Sequence, residues 1–227
     1  MPENKKLYFS PSFGLDELPK QYEEIVARGI CQNDNLTVRE ESGAVIINRL
    51  VQKEAKVLPD PTYALTAGEW EKVAKKPQHF MKEPYILRCF LGNMSNEYQE
   101  FMNTICQNMS LSIFELADKE HPEGYVTGPS EFVYSIMNSK LVLTDSFHTV
   151  VFALIFHKPF IVFSRLNARG ENAGIDTRID ALLKKFKLMD RKYKGTYIPP
   201  FYECDYEYID EMFLQERQKI ISYFESV

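Results

Sequence analysis

The sequence is short of several things, and each shortage removes a class of protein. No apolar run approaches the roughly 18 residues needed to cross a bilayer, and the opening MPENKK leads into no signal-peptide core. Cysteine is scarce: Cys31, Cys89, Cys106 and Cys204 are widely spaced, with no CxxC pair. They read as reduced, mostly buried thiols of a cytosolic protein rather than as a disulfide framework. Basic charge is in deficit, with 27 Lys and Arg against 32 Asp and Glu and a net charge of -5, which argues against a general nucleic-acid binder. His79 and His121 lie in polar stretches without a second ligand at metal spacing, so no zinc site is expected. GxxxxGK[ST], GxGxxG and GxSxG are all missing. Nucleotide hydrolysis, Rossmann-type dinucleotide binding and serine-hydrolase chemistry therefore lose their usual markers.

What is present is an ordinary globular composition, 44% hydrophobic and 26% charged over 227 residues, enough for one large domain or two small ones. Strand and helix signals alternate. A strand is expected at 7–10, a helix from Asp16 to Arg28 stopped by Gly29, a strand at 35–39, a helix at 42–50 capped by Ser42, and a strand at 56–58. After a helix at 67–75, the polar, proline-bearing stretch 76–84 reads as a linker between a partial N-terminal α/β domain (1–75) and a C-terminal Rossmann-like domain (85–227). There the alternation restarts, with strands at 85–91, 110–116, 140–144 and 159–163, and helices at 96–108, 129–138, 146–156, 176–186 and 206–226. The continuous apolar runs Leu141–Leu143 and Phe160–Phe163 suit buried parallel strands. The fold class is α/β with parallel sheets.

Candidate chemistry gathers where strands end. Thr144-Asp145-Ser146-Phe147-His148 lies between a strand and the next helix, where open α/β sheets bind ligands and a helix amino end offers N–H groups to an anion. Asp145, Ser146 and His148 are therefore candidates for holding a phosphate or carboxylate. The alternative is that Asp145 or Ser146 caps the helix and His148 fills a gap against the sheet. Arg165, Arg169 and Arg178 lie in or beside the polar loop 164–177, and arginine suits bidentate recognition of such anions. Glu131 falls in a helix's first turn, where it either complements the dipole or reaches a ligand. His157, at a helix end, reads as structural, and the aromatics of the last helix read as packing.

At these residues the chain resembles the polysaccharide pyruvyl transferase family. Gly128-Pro129-Ser130-Glu131-Phe132, then Thr144 to His148, then Lys158-Pro159-Phe160 follow the family's order and spacing. Ser12-Phe13-Gly14, Val38-Arg39-Glu40 with Ser42-Gly43, Asp60-Pro61-Thr62 and Asp176-Thr177-Arg178-Ile179 with Leu182-Leu183 are also similar to family segments. Two departures stand out: Thr149 replaces a glycine, and no glycine-rich strand–loop–helix precedes Leu7. The second leads us to expect an incomplete N-terminal domain. The resemblance implies a two-domain, glycosyltransferase-B-like architecture acting in the cytoplasm. It also implies transfer of a pyruvyl group from phosphoenolpyruvate to a nucleotide- or lipid-linked sugar of a cell-surface polysaccharide precursor, forming a ketal with no further cofactor. His148 is then the candidate acid, since histidine titrates near neutral pH. A nucleotide-sugar glycosyltransferase and a non-catalytic anion- or sugar-binding fragment are the alternatives.

Overall fold

The computed structural model describes residues 7–77, 84–116, 127–173, 176–195 and 201–226. His79, His121 and most of the expected linker lie outside them. In chain order the elements are α1 (Lys20–Ile30), β1 (Thr37–Val38), α2 (Glu41–Val51), β2 (Lys56–Val57), a 3-10 turn (Pro61–Ala64), α3 (Ala67–Glu71), β3 (Tyr85–Cys89), α4 (Asn96–Met109) and β4 (Ser112–Leu116). Then come α5 (Pro129–Met137), β5 (Leu141–Thr144), α6 (Phe147–Ile155), β6 (Phe160–Val162), α7 (Thr177–Lys185), a second 3-10 turn (Met189–Arg191) and α8 (Tyr206–Glu225). None of the described helices is long and apolar enough to cross a membrane.

Two compact units result, one running to Ala64 and resuming at Glu211, the other spanning Leu65–Asp210. The division falls ahead of the expected linker, because residues 66–75 pack within the second unit. Trp70 meets Phe152 edge to face at 4.9 Å, and the Lys75 N–H reaches the Ser130 carbonyl at 3.1 Å. A Thr66/Glu69 capping box starts α3.

In the first unit β1 and β2 pair in parallel, Val38 opposite Val57. The segment expected to be a strand at 7–10 is not one. It is fastened to Thr37 through that residue's hydroxyl, which accepts the Ser10 N–H at 2.7 Å, instead of through a backbone ladder. Helix α1 begins after Pro19 and runs through Gly29, with no side-chain cap. The segments that resemble the family form one network. Glu40 Oε1 accepts from the Ser12 hydroxyl and from the Phe13 and Gly14 N–H groups at 3.0, 2.7 and 3.0 Å. Asp60, buried, pairs with Arg39 at 2.6 Å and accepts from the Thr62 N–H and hydroxyl at 2.9 and 2.6 Å. The α8 aromatics pack as expected, Phe213 against Tyr63 and Phe224 against Phe9.

The second unit is built on a four-stranded parallel sheet in the order β4-β3-β5-β6. Its strands β5 and β6 are buried throughout because helices cover both faces, while β3 and the edge strand β4 carry the Arg88–Glu115 ion pair. Ile86, Leu141, Leu143 and Ile161 meet Tyr98, Phe101, Met102 and Ile105 of α4, residues spaced to form one helical stripe. On the other face the Tyr85 hydroxyl donates to the Ser135 carbonyl of α5 at 2.7 Å, and Phe132 of α5 meets Phe152 of α6. Of the four cysteines, all free, only Cys89 is buried; the expectation of mostly buried thiols fails because Cys31 lies just past the exposed end of α1. Tyr85→Phe should cost about 1 kcal/mol in a denaturant melt, the net worth of one buried hydrogen bond. An unchanged midpoint would show that bond to be idle.

Candidate functional site

The strand order places a switch point between β3 and β5. The chain leaves β3 toward β4 on one side and leaves β5 toward β6 on the other. Loops diverge at such a point, and open α/β sheets bind ligands outside the carboxyl ends of the two strands there. Three segments meet here: the turn after β3, the β5–α6 junction and the loop after β6.

Each residue of Thr144–His148 has a separate task. The Thr144 hydroxyl donates to the Cys89 carbonyl at 2.6 Å and accepts the Ser146 N–H at 2.9 Å, locking β5 to β3. The Asp145 carboxylate, 1% exposed, accepts the Leu91 and Gly92 N–H groups at 2.8 Å each. Arg165 Nε approaches the same carboxylate at 3.3 Å, and Nη2 donates to the Asp145 carbonyl at 3.0 Å. Ser146 is the N-cap of α6, accepting the Thr149 N–H at 3.5 Å. The Phe147 ring lies 5.8 Å from the Arg178 guanidinium and meets the His148 ring edge to face at 5.4 Å. His148 is the one exposed residue between Leu141 and Ile155.

This settles the alternative left open above for two residues. Ser146 does cap the helix. His148 does not fill a gap against the sheet: it stands in the first turn with its side chain in solvent. Thr149, where the resemblance leads to glycine, is fully buried beside Cys89. Burial pushes the Cys89 thiol up to about 11, which makes it a poor nucleophile at neutral pH.

The arginines divide. Arg165 is committed to Asp145. Arg178, half-buried at the start of α7, lies over the Phe147 ring. Arg169 sits exposed on a turn held by Asn167 Oδ1, which accepts the Arg169 N–H at 2.8 Å. Glu131 folds back toward Gly128: a Cβ there would lie 2.7 Å from Glu131 Oε2. Among the described residues neither Arg169 nor Glu131 makes a polar contact with the 145–148 cluster, and no group of His, Cys, Asp and Glu could hold a metal.

Three contributors were missed in the sequence. Gly92 is required by close approach: a Cβ would meet the Leu166 carbonyl at 2.6 Å and Asp145 Oδ2 at 3.1 Å. A glycine directly after a strand was the available signal. Asp176, buried, accepts the Arg165 N–H at 3.2 Å and Lys192 Nζ at 3.2 Å, while Lys192 also reaches Asp180 at 2.8 Å. Burial opposes the charge on Asp176. Hydrogen bonds from Ser164 and the Arg165 N–H, with the Lys192 charge, outweigh it and hold the carboxyl below its usual range. No local pattern announces a partner 16 residues away.

Two measurements follow. Asp145→Asn removes a buried charge's complement and turns a donor toward a donor, so it should cost about 2–4 kcal/mol in chemical denaturation; a loss within about 0.5 kcal/mol, typical of a surface change, would contradict the geometry. Because Asp176 titrates lower folded than unfolded, its contribution is complete above the unfolded pKa and fades as pH falls through the folded one. The melting-temperature gap between wild type and Asp176→Asn should therefore be widest near neutral pH and shrink below about pH 4. A gap independent of pH would exclude this linkage.

A family model described as polysaccharide pyruvyl transferase matches residues 2–167. No curated protein and no solved structure matches the chain. The match takes in both the network around Glu40 and Asp60 and the whole switch point through Arg165, well over half of the 227 residues. With the Thr144–His148 motif seated at the carboxyl end of β5, the chain belongs to the polysaccharide pyruvyl transferase family.

Proposed function

We propose that the chain transfers a pyruvyl group from phosphoenolpyruvate to two hydroxyls of a sugar in a polysaccharide precursor, in the cytoplasm and with no cofactor beyond the donor. The observation that carries this reading is His148, the single exposed side chain of a buried strand–helix stretch, presented at the switch point. A donor bearing a phosphate and a carboxylate suits the α6 amino end together with Arg178. Ser146 holds that amino end, and Asp145 with Arg165 positions it. Arg169 and Glu131 are the remaining candidate contacts for donor or acceptor. The two-domain, glycosyltransferase-B-like plan belongs to the same reading.

In this mechanism His148 gives a proton to the donor's methylene carbon, which becomes the methyl of the product. The neighbouring carbon becomes oxocarbenium-like, and a sugar hydroxyl adds to it. Its bond to the phosphate oxygen breaks, and the second hydroxyl closes the ketal. Of the two hydroxyl protons, one returns to His148 and the other leaves with phosphate.

His148→Asn should lower kcat about a hundredfold to ten-thousandfold, the usual worth of a positioned acid, and leave the melting temperature at its wild-type value because the ring is exposed. The assay is acceptor- and phosphoenolpyruvate-dependent release of phosphate, which neither nucleotide-sugar glycosyl transfer nor a non-catalytic module would give. Full activity in His148→Asn would remove its assignment as the acid.

A further inference from the structure

At the edge of the sheet opposite the switch point, an open basin of about 690 Å³ lies where the chain enters β3, β5 and β6. Pro84 precedes β3, Lys140 precedes β5, and Lys158 with Pro159 precedes β6. None of its lining residues is Asp or Glu, although the chain carries a net charge of -5. His157 is occupied: its Nε2 lies 2.8 Å from Asp210 Oδ1 and its ring stacks on Tyr206. That leaves the two ammonium groups. Among the described residues no carboxylate pairs with either.

Lysines after helix ends often serve the helix dipole. Here the last carbonyls already have donors. Tyr134 O takes the Asn138 side chain at 2.9 Å, Ile136 O takes the Ser139 N–H at 3.2 Å, and Ala153 O takes the Lys158 N–H at 2.7 Å. The ammonium groups are thus not consumed in capping. Burial, and then the charge of Lys140, hold the Lys158 ammonium below the usual lysine range. The two ammonium groups act on one another, and an anion that bridges them relieves that repulsion. The basin is roomier than a lone phosphate needs, and the exposed Tyr202 ring lines it, as a surface on which a base or sugar could lie.

We propose that this basin is a second anion site, in which Lys140 and Lys158 together hold a diphosphate group. The site is independent of the pyruvyl-transfer reading and lies at the other edge of the sheet. Its ligand is either free diphosphate or the diphosphate of a nucleotide-linked sugar. The chemistry is shared, and Tyr202 separates the two sources.

The test is calorimetric titration of the whole chain with sodium diphosphate and with uridine diphosphate. His148→Asn/Arg178→Ala serves as the background, to silence the switch-point site. Binding should persist in that background, weaken about tenfold with either Lys140→Ala or Lys158→Ala, and vanish in the double variant. Lys140→Gln/Lys158→Gln, which keeps the stems, should behave like the double alanine at an unchanged melting temperature. Uridine diphosphate binding tighter than diphosphate, with the advantage lost in Tyr202→Ala, identifies a nucleotide-linked ligand; equal affinities identify free diphosphate. No binding at millimolar titrant, or binding that survives loss of both lysines, overturns the proposal.

Discussion

A buried carboxylate cannot be left partly satisfied, and Asp145 is the buried carboxylate on which the switch point depends. Taking it out of water costs several kcal/mol unless donors and a countercharge replace the solvent. Two backbone N–H groups and Arg165 do so. Each partner then constrains its own segment. Leu91 and Gly92 must bring the turn after β3 against the β5 junction, and only glycine fits beneath the Leu166 carbonyl. Arg165 must hold the start of the loop after β6, where its own N–H is taken by Asp176. Three loops that would otherwise diverge are thereby fixed around the amino end of α6.

The same constraint explains why α6 can be apolar around its circumference. Residues 149–155 are all buried, which is affordable only because the helix is central to the sheet and capped by Ser146. A helix of this kind has little freedom to shift, so whatever its first turn presents is held in place. The residue presented is His148. Exposed at the start of a buried helix, its ring adds little to the packed core.

Much of this was legible in the sequence, because it rests on local signals. The apolar runs of β5 and β6 and the motif Thr144–His148 each carry their meaning within a few residues, whereas the expected Ser42 cap fails because α2 begins one residue earlier, with Glu40 at its N-cap and no side-chain bond there. What could not be read were the long-range pairings. Asp145 looked like a ligand group because its sequence neighbours say nothing of Leu91 and Gly92, 54 and 53 residues earlier. Arg165 looked free for the same reason. The segment at 7–10 had a strand's composition, but Thr37 holds it by a side chain, and no pattern rule distinguishes the two. The grouping of 66–75 with the larger unit depended on Trp70 finding Phe152, a contact between residues 82 apart in number.

The chain's acidity makes one further point about how it could hold anionic substrates. Net charge acts at long range, and at physiological ionic strength that range is cut to about 8 Å. Within a crevice, local sources dominate: the unpaired N–H groups of a helix's first turn and one or two guanidinium groups. Arg165 does not supply free charge there, since Asp145 neutralises it. The other local sources of positive potential are the α6 amino end and the Arg178 guanidinium over Phe147. A net charge of -5 and a local preference for an anion at the switch point are therefore compatible.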